Sequence, residues 1–169
     1  MKNIWTPWRM DYILGKEGRG PGCIFDRKPE QTHDQDELIL CRGTSAVILL
    51  NRFPYANGHL LIAPARHVAE LAELSAKESA ILMEHIRGSV QILKKHLRPD
   101  GFNIGLNIGA VAGAGLADHL HFHVVPRWQG DHNFMTVLGD IRTIPQHIDE
   151  TFAMLLPDFL KLPQDINHE

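Results

Sequence analysis

Apolar positions along this chain recur with the period of a strand in some stretches and of a helix in others, and the switches between them mark out its elements. Residues 38–41 and 46–51 are short apolar runs separated by Arg42-Gly43-Thr44-Ser45, the pattern of a β-hairpin. A third run, residues 59–63, is entered through Asn57-Gly58 and stopped by Pro64. Ser75-Ala76-Lys77-Glu78 has the spacing of a capping box, in which the serine and glutamate side chains satisfy the first free amides of a helix. Leu82, Ile86, Val90, Leu93 and Leu97 follow at steps of three or four and predict one long helix with a single apolar stripe. Lys94 and Lys95 in its last turns complement the helix dipole, and Arg98-Pro99-Asp100-Gly101 ends it.

Phe102, Ile104, Leu106 and Ile108 then alternate with Asn103, Gly105, Asn107 and Gly109, predicting a half-buried strand whose other face is small and polar. A glycine-bearing loop, residues 110–118, leads into His119-Leu120-His121-Phe122-His123-Val124-Val125. Read as a strand, that segment sets three imidazoles on one face roughly 6.6–7 Å apart and turns Leu120, Phe122 and Val124 into a core. The short connection favours antiparallel pairing of these two strands. A last helix is predicted over residues 146–156, with Ile148, Phe152 and Leu155 as its buried stripe, and the polar tail beyond Pro163 frays. Strands and helices are segregated along the chain, so the fold class is α+β.

The chain has 169 residues, enough for one well-buried core. It carries no internal repeat, low-complexity tract or Ser/Gly linker. Residues 1–22, with Trp5, Trp8, Met10 and Tyr12, read as an arm that packs its aromatics on the body or on a second subunit. Residues 23–160 form the single domain and 161–169 the tail. A formal charge of −3 provides no field to draw the molecule to a nucleic acid polymer or an anionic membrane. No apolar run is long enough to cross a bilayer. Two cysteines, Cys23 and Cys41, cannot build a disulfide framework, and without an apolar leader they indicate a reducing, cytoplasmic compartment.

Histidine titrates nearest to neutral pH, so a row of three is a candidate for chemistry. Three readings compete. The imidazoles are structural and bonded to backbone carbonyls. Or they bind Zn²⁺, with Cys23, His59 and His67 as further ligands. Or one attacks phosphorus covalently while its neighbours tune it. The segment just before the row favours phosphorus, because Asn103, Gly105, Asn107, Gly109, Gly113 and Gly115 combine amide donors with glycines that let backbone N–H groups approach a phosphate.

These residues resemble the signature of the histidine-triad superfamily, in which apolar residues separate three histidines. Residues 57–67, Asn-Gly-His-Leu-Leu-Ile-Ala-Pro-Ala-Arg-His, are similar to that family's Gly-His strand and the turn after it. Leu49-Leu50-Asn51-Arg52-Phe53-Pro54 is similar to the ribose-contacting segment of the fragile-histidine-triad branch. Residues 126–135 resemble bacterial members close to diadenosine tetraphosphate phosphorylases. The resemblance spans residues 5–156. It implies an antiparallel sheet of about five strands with one long and one C-terminal helix, assembled as a homodimer.

It further implies a nucleotidyl hydrolase or transferase acting on dinucleoside polyphosphates such as diadenosine tetraphosphate. His121 would attack the α-phosphorus and form a nucleotidyl-histidine, its other ring nitrogen donating to a backbone carbonyl. His123 and His119 would donate toward the phosphate or leaving group. Asn107 and the backbone of Gly113, Ala114 and Gly115 would stabilise the non-bridging oxygens. Asn51 would contact ribose, Ile24, Phe25 and Leu50 would enclose the base, His59 would orient the triad, and Asn133 would lie near the phosphates. Water or inorganic phosphate would release the nucleotide, and no cofactor is required for this chemistry. Many bacterial relatives bind a structural zinc through Cys-x-x-Cys and two histidines, positions that fall here on Cys23, Asp26, His67 and His119. Asp26 replaces the second thiolate, which weakens such a site. The alternatives are a nucleoside phosphoramidase, cleaving a P–N bond, and a non-catalytic nucleotide-binding or zinc-stabilised interaction module.

Overall fold

A computed structural model describes residues 22–26, 34–131 and 147–163. The expected hairpin is present as β1 (Ile39–Arg42) and β2 (Ala46–Leu50), closed by Gly43 N–H donating to Ala46 O at 2.8 Å. β3 (Leu60–Pro64) pairs antiparallel with β2 in the register Leu50↔Leu60 to Ala46↔Pro64. It runs one residue later than the sequence indicates. Pro64 is its last paired residue, a position where the missing N–H costs little. Next in the chain is α1 (Ala76–Leu97), then β4 (Gly101–Leu106), β5 (Phe122–Arg127) and α2 (Ile148–Phe159). The five strands form one sheet in the order β1-β2-β3-β5-β4, with antiparallel neighbours throughout.

α1 begins as its capping box requires: Glu78 N–H donates to Ser75 Oγ at 3.2 Å, and Ser75 N–H donates to the Glu78 carboxylate at 2.8 Å. Arg66 also donates to both Glu78 oxygens, so the turn that carries His67 is tied to the start of the helix. Its bond to Arg66, with that to Ser75, holds the Glu78 carboxyl down at about 2. The helix ends on Arg98 in the left-handed conformation. α2 continues three residues past the expected end, through Pro157, because fully buried Phe159 extends the stripe of Phe152 and Leu155. A proline in the last turn gives up only one backbone bond there. The expected start of this helix at Gln146, the 1–22 arm except Gly22, and the far end of the tail lie outside the described residues.

The two helices cover one face of the sheet. Ile48, Leu50, Leu60, Ile62 and Val124 meet Leu82, Ile86, Leu93, Phe152, Leu155 and Phe159 there. Removing each such side chain from water is worth about 1.5–3 kcal/mol, and this layer is what holds the sheet rigid. Because strand side chains alternate, Val47, Leu49, Leu61 and Ala63 point to the opposite face, where Phe25 and Ile39 pack on them. Leu50 is therefore a core residue on the helix side, and fully buried Phe25 is core on the other. The two do not enclose one base pocket.

Two expectations for the second half need correction. β4 stops at Leu106, and the apolar face of its alternation is only partly covered: Phe102 packs on the core, but Ile104 and Ile108 are 47% and 41% exposed. β4 is one of the sheet's two edge strands, and Ile104, opposite Val124, extends beyond the strands on which α1 packs. Nor is the histidine row a continuous strand. β5 begins at Phe122, so only His123 lies within it. His121 Nδ1–H bonds back to the carbonyl of His119 at 2.8 Å, and Leu120 N–H donates to Val68 O at 2.7 Å. These bonds compete with the ladder and pull residues 119–121 away from it.

Candidate functional site

The register places His123 directly opposite Leu61, on the sheet face away from the helices. His121 joins it there, with ring centroids 5.0 Å apart and planes at 63°. His119 does not complete an evenly spaced row. The Phe25 ring stands 5.1 Å from His119 and 5.2 Å from His121, so the first histidine belongs to a separate cluster.

Hydrogen-bond geometry fixes which nitrogen of each imidazole carries the proton. His121 is 5% exposed, and its Nδ1–H donates to His119 O. Burial lowers its pKa, so the ring is neutral and Nε2 keeps an unshared pair. His59, fully buried, receives Tyr55 N–H on Nδ1 at 3.1 Å, and the Asn51 amide reaches the same atom at 3.3 Å. A backbone N–H can only donate, so Nδ1 accepts and the proton of neutral His59 sits on Nε2. From there it is donated to His123 Nδ1 at 2.9 Å. Neutral His123 must then carry its own proton on Nε2. The site thus sets an unprotonated nitrogen on His121 beside an N–H donor on His123.

The segment before His59 is built for this. Asn51 Oδ1 accepts Phe53 N–H at 2.9 Å, an Asx turn that leaves its amide nitrogen facing His59. Asn51 keeps one acceptor and one donor position for a ligand. Gly58 has φ +73°, and a Cβ there would meet Leu97 Cδ1 at 2.3 Å, so glycine alone lets this turn approach α1. Thr151 Oγ1, on buried Thr151 of α2, donates to Asn57 Oδ1 at 3.0 Å and ties the turn to the second helix.

Asn107 and the loop after β4 approach the same end of the sheet, since Leu106 pairs with Phe122 and Gly105 with His123. The space over Gly105 is open, so nothing crowds His123 from the edge strand. A short 3₁₀ turn, Ala110–Ala112, follows between Gly109 and Gly113, both at positive φ. The Gly113 N–H is committed to Ala110 O at 3.0 Å, while Ala114 N–H reaches Gly109 O only at 3.4 Å. Asn133 lies outside the described residues.

A second cluster lies behind Phe25. Ligand atoms of Cys23, Asp26, His67 and His119 all fall within 4.8 Å of one another. His119 Nδ1 is 3.2 Å from Cys23 Sγ and 3.5 Å from Asp26, and His67 Nδ1 is 2.7 Å from Asp26. On its other side His119 Nε2–H donates to Pro64 O at 2.9 Å. Both nitrogens of His119 thereby have partners apart from His121 and His123, on the Cys23 side and at the Pro64 carbonyl. It faces the Cys23, Asp26 and His67 side chains with an unshared pair on Nδ1.

The pattern of the sequence missed Tyr55 and the Pro64 carbonyl. Neither lies in a periodic element with a polar signature, and both offer a histidine a backbone group that only the folded chain brings near it.

The chain is similar to several known proteins. A relative 39% identical over 170 residues, covering 96% of this chain and 87% of its own length, is the AP-4-A phosphorylase of Mycobacterium tuberculosis (strain CDC 1551 / Oshkosh). The asymmetrical bis(5'-nucleosyl)-tetraphosphatase of Schizosaccharomyces pombe is 30% identical over 55% of this chain and 50% of its own. Among solved structures, a zinc-bound histidine triad family protein from Mycobacterium smegmatis superposes with a TM-score of 0.60 at 25% identity, covering 74% of this chain and 85% of that one. The HIT domain model matches residues 32–130, which hold His59 and all three triad histidines, and the chain belongs to the HIT family.

Proposed function

We propose that this chain is a nucleotidyl hydrolase or transferase that cleaves dinucleoside polyphosphates such as diadenosine tetraphosphate through a covalent intermediate on His121. The observation that carries the reading is the pairing of opposite tautomers: an unshared pair on His121 Nε2 beside a proton on His123 Nε2. In the first step His121 Nε2 bonds the α-phosphorus and the bridging P–O bond breaks. The electron pair leaves with the departing oxygen, which carries the negative charge into the polyphosphate product and accepts a hydrogen bond from His123 Nε2–H. The cation formed on His121 is held by the His119 carbonyl at Nδ1–H. In the second step the oxygen of water or inorganic phosphate bonds phosphorus, the N–P bond breaks with its electron pair returning to His121 Nε2, and the proton lost by an attacking water passes to solvent.

Other residues have binding roles. Asn51 uses its remaining donor and acceptor on ribose hydroxyls, Asn107 and the amides of Ala114 and Gly115 bind the non-bridging oxygens, and His59 orients His123. Gly113 supports the loop through its bond to Ala110, and Asn133 is kept as a phosphate contact. Cys23, Asp26, His67 and His119 hold a structural zinc, a role supported by the Pro64 carbonyl bond, the kind of outer contact that orients a metal-ligating imidazole. Zinc there would close a tetrahedral set and pin residues 23–26 to the sheet. A second copy of the chain covers the open edge of β4. Among the described residues no helix is long and apolar enough to cross a membrane, and neither cysteine is in a disulfide, which supports a cytoplasmic location.

The test is rapid quenching with diadenosine tetraphosphate. An acid-labile adenylyl mass is expected on the His121 peptide, and His121→Ala should abolish turnover while nucleotide affinity stays within about tenfold. Bound nucleotide with neither adduct nor turnover would overturn the reading in favour of a binding module. Comparing release in water and in excess phosphate identifies the acceptor.

A further inference from the structure

Tyr55 is absent from the roles above, yet it touches both members of the His59–His123 pair. Its ring centroid lies 4.7 Å from that of His59 and 5.9 Å from that of His123, tilted by 31° and 26°. The same residue donates its backbone N–H to His59 Nδ1. The two imidazoles have their own centroids 5.1 Å apart and share one hydrogen bond, 2.9 Å long. One residue therefore provides both the donor that fixes the first tautomer and the flat surface that keeps the two rings in line. The turn that holds Tyr55 is fixed at both ends, by the Asx turn of Asn51 and by the Gly58 approach to Leu97.

We propose that Tyr55 is a positioning residue for the reaction, whose backbone N–H and ring together hold His59 as the Nε2–H tautomer and so keep His123 a hydrogen-bond donor at Nε2. The order of causation is set by chemistry. A backbone N–H cannot reverse its role, whereas an imidazole can carry its proton on either nitrogen. The direction of the whole relay, from Tyr55 N–H through His59 to His123, follows from its first member. The ring is needed because a 2.9 Å bond between two imidazoles survives only while neither ring swings about its Cβ. A side chain lacking that surface lets His123 rotate and exchange tautomers.

This inference rests on the reading of His123 as the hydrogen-bond donor to the departing oxygen, and its test separates the two. Long-range proton–nitrogen NMR spectra of the unliganded protein report the protonated nitrogen of each histidine directly and require no turnover. In the wild type His123 is expected to show a bare Nδ1 and a protonated Nε2, and His59 the same. Tyr55→Leu keeps the backbone donor and removes the ring. It should broaden or mix the His123 nitrogen signals and lower kcat on diadenosine tetraphosphate about tenfold or more, with KM within about twofold. Tyr55→Phe, which keeps both the donor and the flat ring, should restore the single tautomer and bring kcat back. A wild-type spectrum with the proton on His123 Nδ1 overturns the proposal, as does a folded Tyr55→Leu protein whose His123 signals match the wild type. Should the wild type fail to turn over while its nitrogen spectrum is as expected, the assigned substrate reaction fails and the positioning role stands.

Discussion

Gly58 carries the greatest steric constraint at the site without touching a histidine itself. A Cβ at this position would lie 2.3 Å from Leu97 Cδ1 and 3.3 Å from Leu93 Cδ2, and φ is +73°. Leu93 is fully buried, so α1 has little room to yield. Gly58→Ala should therefore cost about 1–3 kcal/mol by overpacking and by forcing a side chain into a left-handed backbone, read as a lowered thermal midpoint. Because His59 follows directly, the same variant should lose activity more steeply than stability. A midpoint within a degree of wild type would show that the turn is not pinned to α1. At this scale the sequence named the candidate residues and left their protons undetermined. The alternation of histidines and apolar residues pointed to His119, His121 and His123, and the family resemblance made His121 the nucleophile. Which nitrogen of His121 and of His123 is bare depends on the His119 carbonyl and the Tyr55 amide, and backbone groups leave no signature in composition or period.

Elements were legible where a local signal and a buried face agreed. The capping box and the stripe of α1 both pointed to one helix, and the hairpin of β1 and β2 lies where its apolar runs place it. They were less legible where bonding outside the element decided its limits. β5 starts late because residues 119–121 bond to each other and to Val68, and α2 runs on through Pro157 because Phe159 is buried. β4 is the instructive case, since its period is right and its burial is not. Alternation states which side chains share a face, and only the neighbouring layer decides whether that face is covered. Ile104 on this edge strand and Ile108 just after it are left exposed, as is Val111 in the turn that follows. An apolar edge strand is a template for another strand, and closed pairing with a second copy is the simplest cover. Sedimentation at micromolar concentration should give a dimer, and Ile104→Glu, which places a charge within that edge, should shift it to monomer. A wild-type monomer over that range, or a variant that stays dimeric, removes the edge as the interface.

Over the whole molecule the residues of interest divide into two groups that share one backbone segment. His119 turns its ring toward Cys23, Asp26 and His67, while its carbonyl receives the Nδ1–H of His121. Any ion held by the first group therefore acts on residues 23–26, on the turn carrying His67, and on the segment leading to β5, three parts of the chain far apart in sequence. With one thiolate, one carboxylate and two imidazoles the set has the number and kind of donors that Zn²⁺ takes in a closed site, with a carboxylate where a second thiolate would bind more tightly. Protein prepared without a histidine tag is expected to contain about one zinc per chain. Chelation should lower the thermal midpoint by several degrees, because an ion bound only by the folded state stabilises it by mass action. His67→Ala should lose the metal and the chelator-sensitive part of the midpoint together. Asp26→Cys should retain the metal at chelator concentrations that strip the wild type. Metal-free protein whose midpoint responds to neither chelator nor added zinc would reduce the cluster to hydrogen bonds among four side chains.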